Sequence, residues 1–138
     1  MGTARLSAGL FVESEELSVE DMDRMIGIEC NESWRKGDRR LFVDDVYATN
    51  SWQLEFSAET PDTPCENIVE KMNGLIEEIV RRMRGHEEDF RLVAERAVSG
   101  LTVAMSCSYV PPIEVRADVL KGICALGVEL AFDVTLSG

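Results

Sequence analysis

In Ala4-Arg5-Leu6-Ser7-Ala8-Gly9-Leu10-Phe11-Val12-Glu13, the residues Ala4, Leu6, Ala8, Leu10 and Val12 recur at every second position. A period of two is that of a strand with one face buried, and it predicts a first strand from Arg5 to Glu13. The same alternation returns late in the chain. Leu101, Val103, Met105, Cys107 and Tyr109 alternate with Thr102, Ala104, Ser106 and Ser108 until Pro111-Pro112 ends or diverts the run. Val128, Leu130, Phe132, Val134 and Leu136 stand opposite Glu129, Ala131, Asp133 and Thr135. Between them, Trp52, Leu54 and Phe56 share one face of a run whose other face carries Ser51, Gln53 and Glu55, and Leu41-Phe42-Val43 reads as a further short strand. Strands with one polar face favour an antiparallel or mixed sheet covered by helices on one side.

The helical signals fall between these runs. Ser18 followed by Asp21 is a capping arrangement ahead of Met22, Met25 and Ile26, and Gly27 suits a left-handed end, so a short helix is expected from Val19 to Ile26. Pro61 and Pro64 precede the strongest periodic stretch, Ile68, Val69, Met72, Leu75, Ile76, Ile79, Val80 and Met83, interrupted by Gly74. A helix-interior glycine costs about 1 kcal/mol relative to alanine, so packing is expected to compensate there or the helix to bend. After Gly85, Phe90, Val93, Ala94, Ala97 and Val98 predict a second helix running to Gly100 and pairing with the first. Ala117 to Leu126 predicts a last helix that buries Val119, Leu120, Ile123 and Leu126 and closes at Gly127. The expectation is one α+β domain over residues 1–138, a two-layer design with a sheet of about five strands and helices packed mainly on one face. Whether the last strand–helix–strand unit is a parallel crossover is left open by the sequence.

With 138 residues the chain has the size of one domain. Its 26 acidic against 14 basic residues leave a net charge of −12, which repels a phosphate backbone and argues against nucleic acid as a partner. The acidic residues Glu13, Glu15, Glu16, Glu20, Asp21 and Asp23 run without a cation, while Arg35, Lys36, Arg39 and Arg40 follow just downstream. A protein partner with a basic surface would be drawn to the first group. Cys30, Cys65, Cys107 and Cys124 form no CxxC pair and read as reduced thiols. No apolar stretch has the length needed to span a bilayer, so no membrane association is expected and the expected compartment is the cytoplasm.

Catalytic constellations do not emerge. The lone histidine, His86, begins a helix, and the position four residues on, where a zinc-protease helix needs its second histidine, holds Phe90. A serine or cysteine nucleophile needs a base beside it, and a single histidine leaves almost no way to build one. Cys107 shares the parity of Met105 and Tyr109 and is expected in the core. Asp44-Asp45 and Glu77-Glu78 are adjacent pairs whose side chains diverge, so neither makes a natural dyad. No glycine pattern cradles a phosphate. No catalytic residue, cofactor or metal ligand is therefore assigned.

What remains is Ser33-Trp34-Arg35-Lys36-Gly37-Asp38, in a stretch from Ile28 to Arg40 that has no period and reads as an exposed loop. Trp and Arg dominate binding hot spots, and Ser33, Trp34, Arg35, Lys36 and Asp38, with Trp52, are the candidate interaction residues. The competing structural expectation has Trp34 plugging the sheet while Arg35 and Lys36 pair with the acidic helix at Glu20 to Asp23.

These residues also carry a resemblance. Met25-Ile26-Gly27-Ile28, then Ser33 to Asp38, then Trp52 in a strand, with Val103-Ala104-Met105-Ser106-Cys107 and the ending Leu126 to Asp133, together resemble the DUF4279 family of bacterial proteins. That family has no assigned activity, so the resemblance implies fold and a bacterial cytosolic setting but no catalytic residue. Three functional readings follow. The favoured one is a non-enzymatic protein-interaction module, of the immunity-protein type that covers a basic partner. The second is a small anionic-ligand binder or weak enzyme using Trp34, Arg35, Lys36 and Trp52, which requires their convergence in one pocket. The third is a structural homo-oligomer, such as a homodimer formed at an open sheet edge.

Overall fold

The computed structural model describes residues 2–137. Among them the chain runs β1 (Thr3–Ser14), α1 (Val19–Ile26), β2 (Glu32–Trp34), β3 (Asn50–Pro61), α2 (Glu66–Met83), α3 (Glu87–Ala94), β4 (Val98–Cys107), α4 (Ala117–Leu126) and β5 (Leu130–Leu136). The strands form one mixed sheet of order β2-β3-β1-β4-β5, and the architecture is α+β. The most regular alternation in the chain, β1, occupies the centre. It pairs antiparallel with β3 from Thr3↔Pro61 to Ser14↔Asn50 and with β4 from Arg5↔Ser106 to Glu13↔Val98. β5 joins β4 in parallel, Leu101↔Leu130 to Cys107↔Leu136, a pairing that requires a crossover and receives it from α4.

Side-chain parity decides the two faces. Ala4, Leu6, Ala8, Leu10 and Val12 of β1 are buried together with Trp52, Leu54, Leu101, Val103, Met105 and Cys107 beneath the helices. α2 lies across β1 and β3 and contributes Ile68, Met72, Leu75, Ile76, Ile79 and Met83 to the same core. The alternate residues of the strands, among them Ser7, Gly9, Glu55, Thr102 and Ala104, line the opposite, open face. Burial of such a set is the main driving force for folding.

Local chemistry sets the helix ends. Ser18 Oγ accepts a hydrogen bond from the Asp21 N–H at 3.0 Å, and Gly27 ends α1 with φ 88°. A side chain on Gly27 would also strike His86 Nδ1, which lies 3.3 Å from the Ile26 carbonyl oxygen. His86 thus serves the packing of α3 on α1. The carboxylate of the buried Asp62 accepts from the Ser108 hydroxyl, and its carbonyl accepts from Tyr109, tying the end of β4 to that of β3.

Buried Asn73 makes three bonds. Its Nδ2 donates to the Val69 and Glu114 carbonyls, each at 2.8 Å, and its Oδ1 accepts from the Arg116 N–H at 2.9 Å. One side chain in α2 therefore fixes the segment that leads from Pro111 into α4.

Several expectations need correction. The helix after Gly85 stops at Ala94, because Val98 is taken by β4, where it pairs with Glu13. α3 packs chiefly on α1 and α4, while α2 packs on α4 and the sheet, so the expected α2–α3 pair is not the principal helix contact. Leu120 is 43 % exposed instead of buried. No packing compensates Gly74, since nothing lies within 4 Å of where its Cβ would be. In α4, by contrast, a Cβ on Gly122 would overlap Val80 of α2, so the close approach of these helices requires glycine there.

Candidate functional site

The stretch expected as a loop begins as an edge strand. β2 pairs antiparallel with β3, placing Ser33 opposite Trp52 and Trp34 opposite Ser51. Because successive side chains leave a strand on opposite faces, Trp34 and Trp52 point to opposite sides of the sheet. Trp52 is fully buried, its indole N–H donating to the Ile28 carbonyl at 3.2 Å and its ring tilted against Phe90 with centroids 6.2 Å apart. Trp34 instead stacks on Tyr47, centroids 4.4 Å apart and planes within 10°. Its Nε1 is buried without an acceptor among the described residues.

From residue 35 to 49 the chain makes a projecting hairpin. The Gly37 N–H donates to the Tyr47 carbonyl and the Tyr47 N–H to the Asp38 carbonyl, both at 2.9 Å. Arg39 and Val46 form a bridge, and the Arg40 N–H donates to the Asp45 carbonyl at 3.0 Å. Gly37 turns with φ 91°, a value that favours glycine, and Asp38 Oδ2 closes the turn by accepting from the Arg35 N–H at 3.0 Å.

Two anchors hold the base of the hairpin. The Lys36 N–H donates to Asn50 Oδ1 at 2.8 Å, and Asn50 Nδ2 donates to the Leu17 carbonyl at 3.0 Å. Arg35 grips Glu20 of α1 with both guanidinium branches, Nη1 to Oε2 at 2.9 Å. The Arg35 hydrogen bond holds the Glu20 carboxyl down to about 2, and the same bond raises the guanidinium pKa further. The pair is solvent-exposed and serves to position rather than to stabilise. Arg35 thus meets the expected acidic helix. The Lys36 ammonium has no carboxylate partner among the described residues.

The tip is not the strand that Leu41-Phe42-Val43 predicts. Leu41 is 77 % exposed and Phe42 wholly so, with Val43 and Val46 also in solvent. Phe42 adopts φ 63°, a left-handed backbone that a bulky residue rarely takes. Arg40 lies over the Tyr47 ring at 5.7 Å, and Arg39 reaches Asp44 at 3.6 Å. A signal for this was present in the sequence. Three apolar residues between Arg39-Arg40 and Asp44-Asp45 are too few to bury a strand face, and charges bracket them on both sides.

Of the candidate residues, Ser33 and Trp34 lie in β2, Arg35, Lys36 and Asp38 follow in the first arm of the hairpin, and Trp52 does not join them. Elsewhere, burial pushes the thiols of Cys30 and Cys107 up, opposite to what a nucleophilic thiolate requires. Among the described residues there is no group of three or more His, Cys, Asp or Glu placed to hold a metal ion, and no helix long and apolar enough to cross a membrane. Burial, and then the nearby Glu32, raise the Glu55 carboxyl pKa on the open face.

Fold and surface define a class: a two-layer α+β domain with one bare sheet face and a projecting apolar-tipped hairpin. The family model for DUF4279, a domain of unknown function, matches residues 4–137, and the chain belongs to that family. No curated protein matches the chain. No solved structure matches it.

Proposed function

We propose that this chain is a non-enzymatic protein-interaction module whose hairpin tip enters an apolar cleft rimmed by basic residues on a partner protein. The exposed tip Leu41, Phe42, Val43 and Val46 carries this reading, because contiguous apolar surface in water marks a contact site. The Arg35–Glu20 pair sets the base of the hairpin beside the acidic helix α1, which supports a partner of opposite charge. An immunity-type role, in which the module covers a basic protein's active site, is the specific form of this reading. The free Cys30, Cys65, Cys107 and Cys124 support a reducing bacterial cytoplasm as its setting. The anion-binding reading has less support, since Glu20 occupies Arg35 and Trp52 is buried on the other face.

A photo-crosslinking phenylalanine analogue at position 42, expressed in the native host, tests the proposal. It should trap one protein, and trapping should fall with added salt and with Leu41→Ser. Trapping no greater than that from the same analogue at exposed Ile113 overturns it. The homo-oligomer reading draws on a different feature, the outer edge of β5 with Leu120 and Leu136 exposed near it in the chain. Sedimentation equilibrium of the pure chain decides that reading, a single monomer mass being evidence against it.

A further inference from the structure

We infer that the free edge of β3, beside α2, takes an extended segment of a partner protein as an added strand whose side chains run apolar, basic, apolar. β3 is much longer than the strand that covers it, since β2 pairs only with Ser51 to Gln53. Beyond that point no strand of the described residues lies on this side of β3. In an antiparallel ladder, backbone groups turn alternately to the two sides, so the odd residues of β3 direct theirs outward.

The first of these is already occupied by an amide. Asn31 Nδ2 donates to the Glu55 carbonyl at 2.7 Å, and Asn31 Oδ1 accepts from the Glu55 N–H at 2.8 Å. A side-chain amide there reproduces the pair of bonds that a further strand residue would make. The chain itself cannot continue along the edge, because Cys30 turns away to bond Asp23 Oδ1 at 2.8 Å. The next outward residues, Ser57 and Glu59, are exposed. Their unpaired backbone is the template for strand addition.

Alongside this edge runs an open groove of about 560 Å³ between Ala58 and Thr60 of β3 and Glu70, Lys71, Gly74 and Leu75 of α2. Gly74 is an unfavourable helix residue with empty space beside it. The groove accounts for it: a larger residue would fill the room that an incoming side chain needs.

Side-chain chemistry follows from the register. A ligand residue facing Ser57 points to the open face, between Glu55 and Glu59. Glu59 already has Arg5 at 3.2 Å, whereas Glu55 lies near Glu32 instead of a cation, so a lysine or arginine fits. The residues on either side face Phe56, whose ring carries the Arg82 guanidinium, and Ala58, beside Leu75 and Gly74 in the groove, where apolar groups of moderate size fit. A second copy of this chain fits poorly. Its own exposed edge presents Phe132-Asp133-Val134, which would set a third carboxylate beside Glu55 and Glu59.

This surface is separate from the hairpin, and either proposal can fail alone. A phage-displayed library of random heptapeptides, panned against the full chain, is the probe. Enriched peptides should carry Lys or Arg between apolar residues and shift the Ser57 and Glu59 amides in NMR spectra. Binding should weaken about tenfold or more, the scale of one or two lost backbone hydrogen bonds, on Ser57→Pro and on Gly74→Leu. Phe42→Ser should leave it unchanged. Should Ser57→Pro unfold the domain, N-methylation of the peptide residue facing Ser57 removes the same bond from the ligand side. Failure to enrich any peptide overturns the inference. So do enriched peptides that shift only hairpin amides and tolerate both Gly74→Leu and N-methylation.

Discussion

Two helix-interior glycines lie in opposite environments, and alanine at each should move stability in opposite senses. At Gly74 nothing lies within 4 Å of a new Cβ, so Gly74→Ala keeps only the helix-propensity gain of about 1 kcal/mol. For a chain of this length that corresponds to a midpoint rise of about 3–5 °C. At Gly122 the same gain is opposed by overlap with Val80. Forcing a methyl into a filled contact costs about 1–3 kcal/mol, so Gly122→Ala should come out neutral to about 2 kcal/mol less stable than the native chain. Urea unfolding followed by circular dichroism, with calorimetry for the midpoint, measures both. If Gly74→Ala is no more stable than the native chain, or Gly122→Ala gains as much as Gly74→Ala, the steric argument is wrong. The pair also bears on the groove: a natural sequence that keeps an unfavourable glycine at a position with free space is accepting lower stability for access.

Asn73→Ala should destabilise by about 2 kcal/mol or more, because the Glu114 carbonyl and Arg116 N–H lose their partner; hydrogen exchange should show α4 opening with the connector before it. Phe42→Gly should leave stability unchanged or raise it by up to about 1 kcal/mol, since it relieves left-handed backbone strain at a fully exposed side chain; a large loss of stability would show that the tip packs on the domain. Glu20 titrates at about 2 when folded against an ordinary value of 4.5, so its contribution is complete above pH 4.5 and is lost as the pH falls toward 2. An Arg35→Ala variant should therefore return the Glu20 carboxyl toward 4.5 in an NMR titration while acid unfolding changes little, the pair being exposed; a Glu20 midpoint still near 2 in the variant would refute the assignment.

Strand parity and helix caps were legible because each depends on neighbours a few residues away. Ala4 to Val12 and Leu101 to Cys107 place their apolar side chains on the face that the pattern requires. Ser18 and Gly27 bound α1 as their side-chain and backbone chemistry demands, and α4 spans Ala117–Leu126 as expected. Errors arose where a short apolar run had two outcomes. Leu41-Phe42-Val43 has the residues of a strand, but β2 already holds the position on β3 nearest to it in the chain. Val98 continues a helical period yet is claimed by pairing with Glu13. Trp34 and Trp52 look alike in sequence, and only the Ser33↔Trp52 register sends them to opposite faces.

The α+β class, the polar and apolar sides of the main strands and the ends of α1 and α4 were all readable in the residues alone. A side-chain period and a cap are local physical facts, settled within a turn or a pleat. Long-range packing was needed to show that β1 is central, that β5 lies parallel to β4, that Arg35 is held by Glu20, and that β3 outruns its partner to leave an edge beside Gly74. Each of these depends on which distant segments compete for the same backbone hydrogen bonds and the same buried face, and no window of neighbouring residues contains that competition.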